Sequence, residues 1–367
     1  MTAFEKILNK QNFGRDDLVR FIGSEGRDHD QLIERSQDVL LSHIGDRVWL
    51  RGLIEFSNVC RKNCFYCGIR KDNKETDRYD ISDDDILSAA MFAWQNKYGS
   101  IVLQCGERND NGFIERVGNL LQLIKSKSNG ELGITLSLGE QTEETYKYWR
   151  ECGAHRYLLR IESSNEELYY QIHPHDAVHN FQQRLECLQM LKRTGYQVGT
   201  GVMIGLPGQT AEQLADDLLF MQKIEVDMVG MGPYLEHHQT PLYSRRNVLW
   251  PVKRRFEVAL NMIAALRLLV PDINIAASTA LQAIDPMGRE KALKVGANII
   301  MPNITPSINR KNYLLYDNKP CTDEGADDCS SCINVRIEMT GRKVGFGEWG
   351  DSPEYFKRKI NDKTSHE

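Results

Sequence analysis

The chain has 367 residues, of which 41% are hydrophobic and 26% charged, with a formal net charge of −5 and a pI near 6.0. This hydrophobic fraction supports a sizeable core, and one α/β barrel of roughly 200 to 400 residues accounts for the length. The slightly acidic balance gives no reason to expect binding to nucleic acid or to an anionic membrane. The sequence contains neither a run of about 18 apolar residues nor a secretory signal. We therefore expect a globular protein of the cytoplasm, with reduced thiols.

The first 45 residues are predicted to be helical, because apolar residues recur there at helical spacing. From about residue 47 onward, short β-branched or apolar runs alternate with longer amphipathic segments. The predicted strands are 48–55, 100–104, 133–137, 156–161, 198–204, 228–231, 273–277 and 298–301. Eight such repeats predict an α/β fold of the closed (β/α)8 TIM-barrel type. The predicted organisation is a helical segment over 1–45, the barrel over 46–305 and a C-terminal extension over 306–367.

One predicted helix shows both of its limits in the sequence. Ser82 is a favourable N-cap, and the three aspartates that follow it lie where the helix dipole favours negative charge. Gly99 lies where a C-terminal stop is expected. The pattern therefore predicts a helix that begins after Ser82 and ends near Gly99.

Cys60, Cys64 and Cys67 form the most informative motif, a C-x3-C-x2-C loop directly after the first predicted strand. Three thiolates without a fourth can hold three irons of a [4Fe–4S] cube and leave the fourth iron open. A zinc site is the alternative, but zinc prefers C-x2-C pairs and four ligands. Disulfides are disfavoured because the nine cysteines are odd in number and no secretory signal is present.

Further polar segments follow the other predicted strands. A barrel places its active site at the carboxyl ends of its strands, so these segments should meet on one rim. Each alone is an ordinary turn by default, and Arg160 and Glu162 could simply pair with each other. Their shared position favours a functional site. The segments are Cys105-Gly106-Glu107, 137–140, Arg160-Ile161-Glu162 and 205–210. The histidines at 173, 175 and 179 are interpreted as part of a loop, because a proline interrupts that stretch.

The cysteine spacing, with aromatic Tyr66 before the third cysteine, is the signature of the radical S-adenosylmethionine (SAM) enzymes. Over nearly its whole length the chain resembles the HydE family of [FeFe]-hydrogenase maturases, relatives of biotin synthase and methylornithine synthase. The matching segments are 56–58, 67–70, 102–104, 134–140, 205–210, 227–233, 296–298 and 301–307.

The resemblance implies that the three cysteines bind a [4Fe–4S] cluster at which SAM is cleaved reductively to a 5′-deoxyadenosyl radical. The positions implied to bind SAM are Tyr66, Gly106, Glu107, Ser137, Arg160, Glu162, Arg184, Met203 and Ile204. An arginine suits the SAM carboxylate and a glutamate suits its ammonium group. The positions implied to line the substrate cavity are Cys105, Ile161, Ser278, Thr279, Tyr313 and Tyr316.

A second set, Cys321, Cys329 and Cys332, has the spacing C-x7-C-x2-C. It matches the accessory iron–sulfur site of many HydE proteins, which implies a second cluster of the [2Fe–2S] or [4Fe–4S] type. A zinc knot with a distant fourth ligand is the alternative. The chain departs from the family at two positions. Ile161 stands where histidine is common, and Cys105 begins a segment where Ser-Gly-Glu-Asp is expected.

The resemblance implies a maturase in assembly of the hydrogenase H-cluster. The radical would act on a cysteine-bound iron–carbonyl–cyanide complex delivered by HydG, and the product would pass on through HydF. A ferredoxin or flavodoxin would supply the electron. Two alternatives stay open: a radical SAM amino-acid mutase of the methylornithine synthase type, and a non-catalytic iron–sulfur carrier. A carrier would have no use for Arg160, Glu162 and Arg184.

Overall fold

Eight parallel strands surround the centre of this computed structural model, which describes residues 1–322 and 333–364. The described residues contain eleven strands, and eight of them form the barrel. The eleven strands are β1 Arg47–Ser57, β2 Ser100–Cys105, β3 Gly133–Ser137, β4 Arg156–Leu158, β5 Gln197–Thr200, β6 Met203–Ile204, β7 Met228–Val229, β8 Gly232–Pro233, β9 Asn274–Ile275, β10 Ile299–Ile300 and β11 Lys343–Val344. The order β10-β1-β2-β3-β4-β5-β7-β9 contains one strand for each of the eight predicted. β6 and β8 form a separate parallel pair, and β11 adds to the start of β1.

The sheet closes because its first and last strands meet. Asn298 N donates to Ile275 O and Ala277 N donates to Ile299 O, both at 2.9 Å. A parallel bridge between Ala276 and Ile299 lies at the same seam. The predicted (β/α)8 barrel is thereby confirmed.

Helices cover the outside of the barrel. They are α1 Ala3–Leu8, α2 Arg15–Ile22, α3 Gly26–His43, α4 Asp83–Gln95, α5 Asn111–Lys127, α6 Glu143–Glu151, α7 Glu166–Ile172, α8 Phe181–Arg193, α9 Ala211–Lys223, α10 Val252–Leu269, α11 Thr279–Ile284, α12 Gly288–Val295, α13 Ser307–Arg310 and α14 Pro353–Thr364. Side chains cap the start of most barrel helices, as Ser82, Thr142 and Thr210 do for α4, α6 and α9. α1 to α3 form the predicted N-terminal helical stretch, and α2 and α3 pack on α9 and α10. Among the described residues, no helix combines the length and apolarity needed to cross a membrane.

The strands end sooner than predicted on the rim that carries the polar segments. β4 stops at Leu158, and the predicted strand 198–204 divides into β5 and β6. Glu162 has a φ of +67° and forms an isolated bridge with Val202. The backbone therefore departs from regular strand pairing here. The side chains on the rim do not alternate between the two faces of the sheet as they would in a regular strand.

The amino end of the barrel is closed by the chain after β11. Arg51 Nη2 and Asn274 Nδ2 donate to Gly350 O at 3.1 and 2.8 Å. Arg156 Nη1 donates to Asp351 Oδ1 at 2.9 Å and to Trp349 O at 3.0 Å. The C-terminal segment thus plugs one end of the barrel.

The local pattern predicted that a helix ends near Gly99, but the glycine does not have that role. α4 ends at Gln95, and Lys97 takes the left-handed conformation with a φ of 56°. A Cβ at Gly99 would lie 1.5 Å from the carbonyl oxygen of Glu348. The glycine therefore admits the C-terminal segment against the start of β2.

Candidate active site

The loop after β1 brings three cysteines to the carboxyl end of the barrel. Cys60, Cys64 and Cys67 are partly exposed there. In the described part of the chain, none of their sulfur atoms belongs to a set of three ligand atoms that all lie within 4.8 Å of one another. One tetrahedral zinc, with bonds of about 2.3 Å, requires closer sulfurs, whereas a four-iron cube binds each thiolate on a different iron. The arrangement therefore fits a cube better than one zinc ion.

The residues between these cysteines anchor the loop to the barrel. Arg61 Nε donates to Glu107 Oε1 at 2.9 Å. Lys62 Nζ donates to Glu140 Oε2 at 2.9 Å and also to the carbonyl oxygen of Val178. Asn63 N donates to His179 Nε2 at 2.8 Å. His179, assigned from sequence to a plain loop, is therefore a structural acceptor for the cysteine loop.

Gly106 and Glu107, directly after β2, contact the loop from the other side. Gly106 N donates to Ser57 O at 2.9 Å. A Cβ at Gly106 would lie 2.4 Å from Val59 O and 2.7 Å from Cys60 Cβ, so only glycine fits without a shift. Glu107 N lies 3.3 Å from Cys60 Sγ as a donor. This amide points at the sulfur that would carry negative charge as a ligand.

Glu140 joins this region to Arg184 on α8. Glu140 N donates to Glu107 Oε2 at 2.9 Å, and Arg184 Nε lies 2.5 Å from Glu140 Oε1 as an ion pair. Burial acts to raise the pKa of Glu140, but Arg184 and Lys62 outweigh it and lower that pKa. Burial likewise opposes the charge of Arg184, yet Glu140 raises its pKa. Both side chains therefore stay charged inside the protein, which suits recognition of a zwitterionic ligand.

Arg160 and Glu162 form a second ion pair on the same rim. Arg160 Nε and Nη2 donate to the two carboxylate oxygens of Glu162 at 2.8 and 2.9 Å. Arg160 Nη2 also donates to Val202 O at 3.0 Å, and Arg184 Nη1 donates to Arg160 O at 3.1 Å. Burial opposes the charge of Arg160, but Glu162 outweighs it and raises the pKa. The predicted set Arg160, Glu162 and Arg184 is thus brought together.

The remaining predicted SAM positions lie around these pairs. The Tyr66 ring packs edge-on against His173, with centroids 5.3 Å apart, and burial raises the pKa of its hydroxyl. Ser137 ends β3 and pairs in register with Gln104. Met203 is half-buried and Ile204 fully buried in β6, where the side chain of Gln209 accepts from the next amide, Gly205 N, at 2.7 Å.

The predicted substrate residues separate into two groups. Tyr313 OH accepts from Gln104 Nε2 at 3.3 Å, Tyr316 OH lies 3.1 Å from Thr279 Oγ1, and Ser278 caps α11. Cys105 and Ile161, the two departures from the family, are buried in the main hydrophobic core.

Sequence analysis missed the buried ion pair between Glu55 and Lys319. Lys319 Nζ lies 2.5 and 2.7 Å from the two carboxylate oxygens of Glu55, and Asn303 Nδ2 donates to the same group at 3.0 Å. The only local signal is an acidic residue within the otherwise apolar end of β1.

Only one member of the second cysteine set can be located. Cys321 is partly exposed and has a φ of 63°. Cys329 and Cys332 lie outside the described residues. The second site therefore stays a prediction.

Comparison with known proteins places this site in a family. The radical SAM superfamily profile matches residues 54–221. The [FeFe] hydrogenase maturase subunit HydE of Thermotoga maritima is 42% identical over 351 residues, covering 95% of this chain and 97% of that protein. The chain belongs to the HydE family of radical SAM enzymes. Membership of this family implies a [4Fe–4S] cluster and SAM as cofactors.

More distant relatives of this HydE-family chain share nearly its whole length. The 3-methylornithine synthase of Methanosarcina acetivorans is 29% identical and covers 92% of both chains. The solved structure of methylornithine synthase (PylB) superposes with a TM-score of 0.78 at 24% identity, covering 94% of this chain and 98% of that one. The maturase HydG from Carboxydothermus hydrogenoformans follows with a TM-score of 0.76 at 19% identity, covering 94% and 79%. At these identities the two structures support the barrel fold alone.

Proposed function

We propose that this enzyme cleaves SAM reductively during assembly of the [FeFe]-hydrogenase H-cluster. The observation that carries the proposal is the 42% identity to a HydE protein across nearly all of both chains. HydG and HydF are the proposed partner maturases, and a ferredoxin or flavodoxin is the proposed reductant. The proposed substrate is a cysteine-bound iron–carbonyl–cyanide complex.

Different residues on the rim are proposed to hold the cluster and to orient SAM. A [4Fe–4S] cluster held by Cys60, Cys64 and Cys67 would supply the electron for the reductive cleavage of SAM. Arg184 and the Arg160–Glu162 pair orient the charged methionyl end. The closed barrel excludes water from the reactive carbon and limits the hydrogen atoms within its reach.

The extension 306–367 is proposed to contribute residues to the substrate cavity and to an accessory iron–sulfur site. Tyr313 and Tyr316, next to Gln104 and Thr279, are proposed to line the substrate cavity. Cys321, Cys329 and Cys332 are proposed to bind an accessory iron–sulfur cluster close to them in sequence. Iron analysis of the triple serine variant tests this proposal, because the SAM cluster would be retained and the iron content would fall.

A methylornithine-type mutase is the second candidate, because that relative also covers nearly the whole chain. Ile161 and Cys105, both buried in the main hydrophobic core, bear on the same choice, since both depart from the HydE pattern. The deciding experiment uses the anaerobically reconstituted enzyme with dithionite and SAM. We expect 5′-deoxyadenosine release that depends on an added iron–cysteine complex. The same release with and without this complex would favour the mutase. No release at all would favour the carrier.

A further inference from the structure

Glu55 occupies an interior position near the carboxyl end of β1. Arg51 and Val102 line one small cavity inside the barrel. Side chains alternate along a strand, so Glu55, four residues after Arg51, faces the same interior. Its strand partner Gln104 stands two residues after Val102 and faces inward as well. Glu55 is only 1% exposed, and a carboxylate in such a place needs a partner.

Lys319 supplies that partner from the C-terminal extension, 264 residues away in sequence. Besides both oxygens of Glu55, its ammonium group donates to Tyr313 O at 2.9 Å, so all three protons are used. Lys319 Nζ also lies 5.0 Å from the centroid of the Tyr313 ring. The ion pair therefore fixes the backbone and the ring of Tyr313 at the same time.

The segment 312–319 crosses the mouth of the barrel between the cysteine loop and α11. Asn312 O accepts from Asn58 Nδ2 at 2.6 Å, and Leu315 O accepts from Gly68 N at 3.1 Å. At the other side, Tyr316 OH contacts Thr279 Oγ1. The Glu55–Lys319 pair attaches this segment to the barrel interior, and Asp317 of the segment accepts from His238 N at 2.9 Å.

We propose that the Glu55–Lys319 pair is a latch that holds 312–319 across the mouth and positions Tyr313 and Tyr316 against the substrate. Both charged residues act through the two tyrosines and are positioning residues. Removing one partner leaves the other charge buried without compensation, so the segment releases from the barrel. The part of the proposal that concerns substrate rests on the proposed function; the latch itself does not.

The test compares Lys319→Met with Lys319→Arg and with Lys343→Met. Lys343 pairs with Asp46 at 2.8 Å on the surface, with side chains 77% and 43% exposed, and is the matched control. Amide hydrogen exchange of the reconstituted enzyme is measured with SAM present. We expect exchange in 312–319 to rise at least about ten-fold in Lys319→Met, while β1 stays protected. Lys319→Arg and Lys343→Met should stay within about three-fold of the wild type.

A second readout follows the consequence for turnover. Lys319→Met should bind SAM as the wild type does, yet raise KM for the iron–cysteine substrate more than it lowers kcat. Unchanged exchange in Lys319→Met, or equal loosening in Lys343→Met, overturns the latch. If Lys319→Met does not fold, Glu55→Gln replaces it under the same criteria. Absent substrate turnover in the wild type contradicts the proposed function and leaves the exchange result on the latch standing.

Discussion

At the amino end of the barrel, Arg51 and Arg156 donate to backbone carbonyls of the C-terminal segment, and Arg156 also pairs with Asp351 of that segment. At the carboxyl end, Arg160 and Arg184 also donate to backbone carbonyls, and each forms an ion pair with a glutamate on the rim, Glu162 and Glu140 respectively. A backbone carbonyl is a fixed acceptor that completes a fold. Two opposite charges side by side offer partners to a ligand that carries both. Buried arginines thus close one end of this barrel and, at the other end, provide charged partners for a ligand.

Two glycines flank β2 and allow the comparison to be tested with the same substitution. Gly99→Ala should destabilise the fold by about 3 kcal/mol, because its Cβ would meet the backbone at Glu348. Gly106→Ala should instead slow SAM cleavage by roughly 100-fold, because its Cβ would displace the cysteine loop. Thermal unfolding and 5′-deoxyadenosine release measure the two effects.

The results for Gly99→Ala and Gly106→Ala together show whether the two ends of the barrel differ in role. Each variant serves as the control for the other, since both add one methyl group beside the same strand. If Gly106→Ala lost stability as Gly99→Ala does and kept its activity, the carboxyl end would be as purely structural as the amino end.

Glu162→Gln should weaken SAM binding by roughly 10- to 100-fold, because a charged hydrogen-bond partner is removed without a change in shape. Glu143→Gln is the matched control, since Glu143 pairs with exposed Arg193 at 2.8 Å. Titration of each protein with SAM gives both affinities. Equal affinities would mean that the Arg160–Glu162 pair only supports the fold.

The smallest expected effect concerns pH. Burial raises the pKa of Asp217 to about 7, although Ser164 N and Oγ both donate to it at 2.6 Å. The folded state therefore binds more protons than the unfolded state between about pH 4 and 7, and the free energy of unfolding falls as pH rises through that range. Asp217→Asn should remove this decline.

Asp351 at the amino end should respond in the opposite sense. Burial acts to raise its pKa, but His155 and Arg156 outweigh it and lower that pKa. Its stabilisation is therefore present at neutral pH and is lost as pH falls through the acid range. Urea unfolding at several pH values, with both asparagine variants, separates the two signs. Parallel pH curves for the two variants would contradict the assignment.

The sequence predicts most of the carboxyl end because its residues lie in short segments directly after strands. Cys60, Gly106 and Glu162 could each be placed once the barrel was recognised. Contacts between distant parts of the chain could not be predicted in this way. The pattern around Gly99 resembles a helix stop, but a glycine is needed there because the backbone of Glu348 packs against it. Likewise, nothing in the sequence around Lys319 indicates that its side chain reaches Glu55.

The central claim is that Cys60, Cys64 and Cys67 hold the cluster at which SAM is cleaved. The test is release of 5′-deoxyadenosine by anaerobically reconstituted protein given dithionite, SAM and the iron–cysteine complex, with wild type compared with Cys60→Ala. Cys152→Ala, which alters a buried thiol on the outer helices, is the matched control. We predict release by the wild type and Cys152→Ala, and a loss of at least roughly 10³-fold in Cys60→Ala. Release by Cys60→Ala at the wild-type rate, or none by the wild type, would contradict the claim.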